Sequence, residues 1–157
     1  MVRAFETERL TVEQQLLELL AGRHIRLVAW SGLSVAQRQA LREYYLGNVF
    51  PLLTPLALDP AHPFPFVSNL SLNLLITGQP REGTDPLIAR IKVPVGPGIP
   101  RLVPLGNGHE FIRLEEVMRH TLDLLFPGLS VTSSELFRVT RNANTEQDED
   151  EADDLLE

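Results

Sequence analysis

The chain has no cysteine, one lysine, one tryptophan and only 6% aromatic residues. Without cysteine there is no disulfide and no thiolate metal site, which fits the cytoplasm, where we expect the protein to act. No apolar stretch approaches the roughly 20 residues that a membrane span needs. The opening "MVRAFETERLTVEQQ" has no apolar signal-peptide core. A phosphate-cradling G-x-x-x-x-G-K-[ST] loop is missing, and so is a G-x-G-x-x-G after a strand. "GPG" at 96–98 lies in "PVGPGIP", precedes no helix and reads as a turn. The few aromatics are not interleaved with the basic residues, and the pI is about 5.1, so no nucleic-acid partner is expected.

At 157 residues, 43% hydrophobic and 22% charged, the chain can bury a core. Its net charge of −7 is unevenly distributed, because residues 146–157 carry eight of the 21 acidic residues. The other 13 nearly balance 14 basic residues, all at or before Arg141. Such an acidic block reads first as a solvated helix or a free end. Thirteen arginines stand beside the one lysine, Lys92. Genomic base composition accounts for such a bias, but it also supplies planar guanidinium forks suited to phosphate.

Periodicity sets the elements. Thr11 and Gln14 have capping-box spacing ahead of Leu16, Leu17, Leu19 and Leu20, with Gly22 as the stop. "HIRLVAW" alternates as a short strand. Ser34 and Gln37 repeat the capping spacing before a helix carrying Leu41, Tyr44, Tyr45 and Val49. Then come five prolines between Pro51 and Pro65 among apolar residues, which we read as an ordered entry loop with Phe64 or Phe66 buried. A buried Phe66 implies that Phe66→Ala costs roughly 3–5 kcal/mol. Residues 67–77 and 87–93 alternate and flank the turn-rich "TGQPREGTDP", which predicts an antiparallel pair. Leu72, Leu74, Ala89 and Ile91 are expected to face a core covered by a helix over 111–126. "RLVPL" is a strand whose Pro104 places it at an edge or end. Pro127-Gly128 ends the 111–126 helix, and "ELFRVTRN" is the last strand. The order predicts an α+β fold: a mixed, largely antiparallel sheet with helices packed on it.

Candidate chemistry is sparse. His24, His62, His109 and His120 have no partners at metal-ligand spacing, so no metal site is expected. His62, in "DPAHPFP" beside Asp59, is better read as structural than as a nucleophile. Arg90 and Lys92 share a strand face, Arg138 shares one with Thr140, and Arg141 lies opposite. On neighbouring strands these four cations would form a stripe able to hold a polyanion. Salt bridging to the acidic tail, to Glu115 and Glu116, or plain solvation is the alternative.

"NVFPLLTPLALDPAHPFPFVSNLSLNLLI", "ARIKVP", "RLVPL", "FIRLEEVMRHTLDLLFPG" and "SELFRVTRNAN", followed by an acidic "DEDEADDLLE", closely resemble bacterial polyphosphate kinase over its head, or middle, domain. The resemblance implies three segments: 1–22 as the end of an upstream helical region, 23–145 as the head domain, and 146–157 as the acidic start of a truncated helix. It also implies a kinase that reversibly transfers the terminal phosphate of ATP to inorganic polyphosphate, with magnesium and a phosphohistidine intermediate. The family's catalytic histidines, and most of its ATP and metal contacts, belong to C-terminal domains. A nucleotide-contacting asparagine belongs to the helical N-terminal domain. None of these matches a position here, so no catalytic residue is carried over and no cofactor is assigned to this chain. Arg90, Lys92, Arg138 and Arg141 remain as polyphosphate-facing candidates. The expected role is a structural, subunit-associating fragment that is inactive alone, with homo-oligomers formed through this domain. The alternative is a stand-alone, non-catalytic module that binds a polyanion or a protein.

Overall fold

The computed structural model describes residues 2–58, 65–81, 85–106 and 108–141. Pro60, His62, Pro63 and Phe64 of the proline loop, and the acidic segment 146–157, lie outside the described residues. In chain order the elements are α1 (Val2–Gly22), β1 (Arg26–Leu27), α2 (Val35–Tyr44), β2 (Leu56–Leu58), β3 (Leu72–Pro80), β4 (Leu87–Lys92), β5 (Leu102–Leu105), β6 (Glu110–Arg113), α3 (Leu114–Arg119), α4 (Leu122–Leu125) and β7 (Leu129–Arg138). The class is α+β, with the strands divided between two sheets where one was expected. Two compact units result, Met1–Leu52 with Pro94–Phe126, and Leu53–Val93 with Pro127–Glu157. No helix among the described residues is long and apolar enough to cross a membrane.

In the first unit, β6 is the centre of a three-stranded sheet, parallel to β1 and antiparallel to β5. Pro104, which has no N–H to offer, sits on the edge strand β5 as anticipated. α2 starts at the Ser34/Gln37 capping box: the Ser34 hydroxyl accepts from the Gln37 N–H (3.2 Å), and the Gln37 side chain accepts from the Ser34 N–H (2.9 Å). The helix then widens into a π-turn over Tyr45–Val49, in which the Phe50 N–H reaches the Tyr45 carbonyl. Pro51 cannot extend the ladder. Leu41, Tyr45 and Val49 are buried here, as are Leu114, Val117, Met118 and Leu122.

Two expectations in this unit need correction. Thr11 is not a helix N-cap. α1 is already helical from Val2, and the Thr11 hydroxyl donates back to the Thr7 carbonyl (3.0 Å) from inside it. The helix expected over 111–126 begins at Leu114, because Phe111–Arg113 are held in β6 between two strands. It also breaks at Thr121, whose hydroxyl bonds the carbonyls of Val117 and Met118. This helix belongs to the first unit and the strands it was expected to cover belong to the second.

The second unit is an antiparallel sheet in the order β2-β4-β3-β7. The expected pair is present, with Leu74 opposite Ile91 and Ile76 opposite Ala89, all four buried. β3 starts at Leu72, later than expected, because Leu70 adopts φ +59° in a turn where the Ser71 N–H meets the Ser68 carbonyl (3.2 Å). It also runs further, through Gly78–Pro80, where β7 pairs with it beyond a bulge at Thr132. Phe66 is not buried. It is 62% exposed, and the adjacent Val67 takes the interior position at 2%.

Candidate functional site

Antiparallel register assigns the four candidate cations to faces, because directly opposed residues project to the same side. Arg90 lies opposite Leu75 on β3 and Leu56 on β2, and Lys92 lies opposite Asn73. Continuing across β3, Glu135 and Phe137 of β7 belong to the same face. Arg138 is opposite Leu72 and therefore projects to the other face, the side of Leu74 and Ile91. Arg141 lies beyond β7, where its N–H donates to the Asn69 side-chain carbonyl (2.9 Å) and its guanidinium covers the Phe66 ring at 4.1 Å. The structure thus brings Arg90 and Lys92 together on one face and places Arg138 on the other.

Asn73 is a member of this face that the sequence reading passed over as merely polar. It is fully buried. Its amide NH2 donates to the Ser71 carbonyl (2.9 Å) and hydroxyl (3.0 Å), and its carbonyl accepts from Arg90 Nη1 at 3.4 Å. Arg90 is half-buried, and no acceptor among the described residues reaches its shielded Nε. Chemically Arg90 and Lys92 offer a fork and an ammonium, which is a binding arrangement.

Elsewhere, charged side chains are used in pairing. In the first unit Arg42 grips Asp123 with both terminal nitrogens, and this holds the Asp123 carboxyl below the usual range. Arg101 pairs with buried Glu115 (2.8 Å), and Arg113 with Glu13 (2.7 Å). The His120 ring stacks on Trp30 (4.7 Å between centroids, 8° between planes), and burial pushes its pKa down. A cavity of about 180 Å³ lies between α2 and β5, lined by Leu41, Tyr44, Val103 and Leu105 among others. Its lining holds no charged side chain, so it is no site for a polyanion. Among the described residues no group of three His, Cys, Asp or Glu is placed to hold a metal ion.

Residues 36–157 match the family model described as the polyphosphate kinase middle domain. The polyphosphate kinase of Mycobacterium ulcerans is 44% identical over 151 residues, which cover 90% of this chain and 20% of that protein. That of Synechocystis sp. is 44% identical over 155 residues, covering 92% and 21%. The crystal structure of polyphosphate kinase from Porphyromonas gingivalis superposes with a TM-score of 0.77 at 27% identity, over 89% of this chain and 24% of that one. The chain spans about a fifth of the length of the curated relatives it matches.

Proposed function

From the premise that this chain belongs to the polyphosphate kinase family, we propose that it is the structural and binding segment of an enzyme that moves the terminal phosphate of ATP reversibly onto inorganic polyphosphate. The observation that carries the reading is the middle-domain match over residues 36–157, together with the one-fifth share of its relatives that the chain spans. The segment supplies a framework and a cationic surface, and transfer itself needs groups outside it. In-line phosphoryl transfer requires donor, acceptor and compensating positive charge to be held together. Arg90 and Lys92 supply charge and hydrogen-bond donors only.

Association of subunits through this segment is part of the same proposal. Phe5, Leu16 and Leu19 of α1 are 62%, 54% and 69% exposed, and apolar side chains gathered on one helix suit a protein partner better than water. Leu16→Glu with Leu19→Glu is expected to lower the sedimentation coefficient of an oligomer; an unchanged coefficient removes α1 from the interface.

The reading is tested by extending the chain with the flanking segments that its relatives possess. The extended protein, with ATP, magnesium and a polyphosphate primer, is expected to lengthen the primer. An extended, folded protein that does neither this nor the reverse reaction overturns the assignment in favour of a stand-alone module that binds a polyanion or protein.

A further inference from the structure

We propose that Arg90 and Lys92 form a subsite for a condensed-phosphate chain on the Leu75 face of the second sheet, and that buried Asn73 is the residue that positions Arg90 for it. This rests on reading the chain as a segment of a polyphosphate-handling enzyme. It goes beyond that reading by naming the site and its support.

The two cations are two residues apart on β4, roughly 7 Å along the strand. That spacing suits two non-adjacent units of one linked phosphate chain better than one isolated ion. The guanidinium fork matches two phosphate oxygens, and the ammonium adds a compact charge. Neither cation is used up by the fold. Lys92 has no ion-pair partner among the described residues, and the Arg90 Nε meets no acceptor there. That Nε is shielded within the fold, so a phosphate chain meets the outer guanidinium nitrogens of Arg90, of which Nη1 also donates to Asn73.

Asn73 explains why that side chain stays where it is. Burying an amide is unfavourable unless each end is bonded. The NH2 end has two acceptors on Ser71, which fixes the amide orientation and turns its carbonyl toward Arg90. A flipped amide would set donor against donor. A leucine would fill this buried position without the desolvation cost, but it would release Arg90. The other candidate cations are disposed differently: Arg138 is on the opposite face, and Arg141 is engaged with Phe66 and Asn69. The one carboxylate on the face among the described strand residues, Glu135, is on β7, two strand spacings or roughly 10 Å from Arg90.

The experiment is a titration of the full 157-residue chain with sodium tripolyphosphate, and in parallel with orthophosphate at matched ionic strength. It is followed by the ¹⁵N–¹H resonances of the arginine Nε groups and the β4 amides. Tripolyphosphate is expected to shift Arg90 and Lys92, orthophosphate to do so more weakly, and added salt to reverse both. Arg90→Gln with Lys92→Gln is expected to weaken tripolyphosphate binding roughly tenfold or more, as loss of charge-assisted hydrogen bonds does. Ser71→Ala, which removes one of the two anchors of Asn73 near the surface, and Asn73→Ala are expected to weaken binding several-fold and to broaden the Arg90 Nε resonance. Arg138→Gln is expected to leave binding unchanged. Wild-type affinity in a folded Asn73→Ala or Ser71→Ala variant overturns the positioning role. Shifts that map to Arg138 or Arg141, wild-type affinity in the Arg90/Lys92 double variant, or no shift in the wild type overturns the subsite. Each of these failures leaves the family reading standing, because that reading is tested by the activity of the extended protein.

Discussion

The Arg141 guanidinium lies 4.1 Å from the centre of the Phe66 ring, so an aromatic side chain that the proline-rich sequence marks for the interior is held on the surface by a cation 75 positions later. Phe66→Ala is therefore expected to cost only about 0.5–1 kcal/mol, the worth of an exposed cation–π contact, and not the loss typical of a core phenylalanine. Val67→Ala, at the buried neighbour, is expected to cost about 2 kcal/mol. Urea unfolding of both variants checks the pair; a larger loss at Phe66 than at Val67 would show that the ring is interior after all.

What was legible in the sequence was local. The Ser34/Gln37 box and the alternation in 72–77 and 87–92 are short-range patterns, and the structure follows them. The same capping spacing misled at Thr11, because nothing in four residues shows that the preceding nine are already helical. Phe111–Arg113 fit the helical period and still pair as a strand, since β1 and β5 come from distant sequence. The candidate site was half legible. Arg90 and Lys92 share a face by parity within one strand, whereas the face of Arg138 depends on its register against Leu72, and the strand length on a bulge at Thr132. Asn73 was missed because alternation marks it as outward and polar. Buried there, it is bonded at both ends, to Ser71 and to Arg90.

Gly78 is the point where β3 meets the bulge in β7. A Cβ there would lie 2.6 Å from Leu129 Cγ and 2.9 Å from the Ser130 carbonyl oxygen. The leucine can turn but the carbonyl is backbone, so Gly78→Ala is expected to destabilise by about 1–3 kcal/mol, as overpacking does. A thermal melt measures it. A melting temperature equal to that of the parent would mean that the bulge adjusts freely.

The Arg42–Asp123 contact gives the first unit a pH signature. Hydrogen bonding to Arg42 depresses the Asp123 carboxyl, so it binds its proton less readily in the folded than in the unfolded chain. Its stabilisation is therefore complete above the unfolded value of about 3.9 and is lost as the pH falls through the lower folded one. Asp123 is 61% exposed, which limits the contribution to about 0.2–1 kcal/mol. Asp123→Asn is expected to lower stability at pH 7, and its gap to the parent is expected to narrow as the pH falls below the unfolded value. A constant gap between the two proteins across that range would assign the effect to packing.

The 157-residue chain by itself is expected to leave ATP and polyphosphate unchanged. Phosphoryl transfer through a covalent intermediate needs a nucleophile that a neighbouring group activates and orients. His120 is stacked flat on Trp30, and its lowered pKa traces to burial. His24 sits in a turn at φ +61°, and His109 precedes β6, with its carbonyl accepting from the Arg26 N–H. Among the described residues neither His120 nor His24 has the surroundings of a relay, and Arg90 and Lys92 supply donors only. Incubation with ATP, magnesium and a polyphosphate primer is expected to give no ATP loss and no acid-labile phosphate on the chain. His62 lies outside the described residues, so the assay includes His62→Ala as a control. Acid-labile phosphate that forms in the parent, chases into polyphosphate and disappears in His62→Ala would overturn the claim and make the proline loop catalytic. Activity that arises only when the flanking segments of its relatives are added on the same chain, and that survives His62→Ala, is the outcome expected if the nucleophile lies in those segments and this one binds and supports.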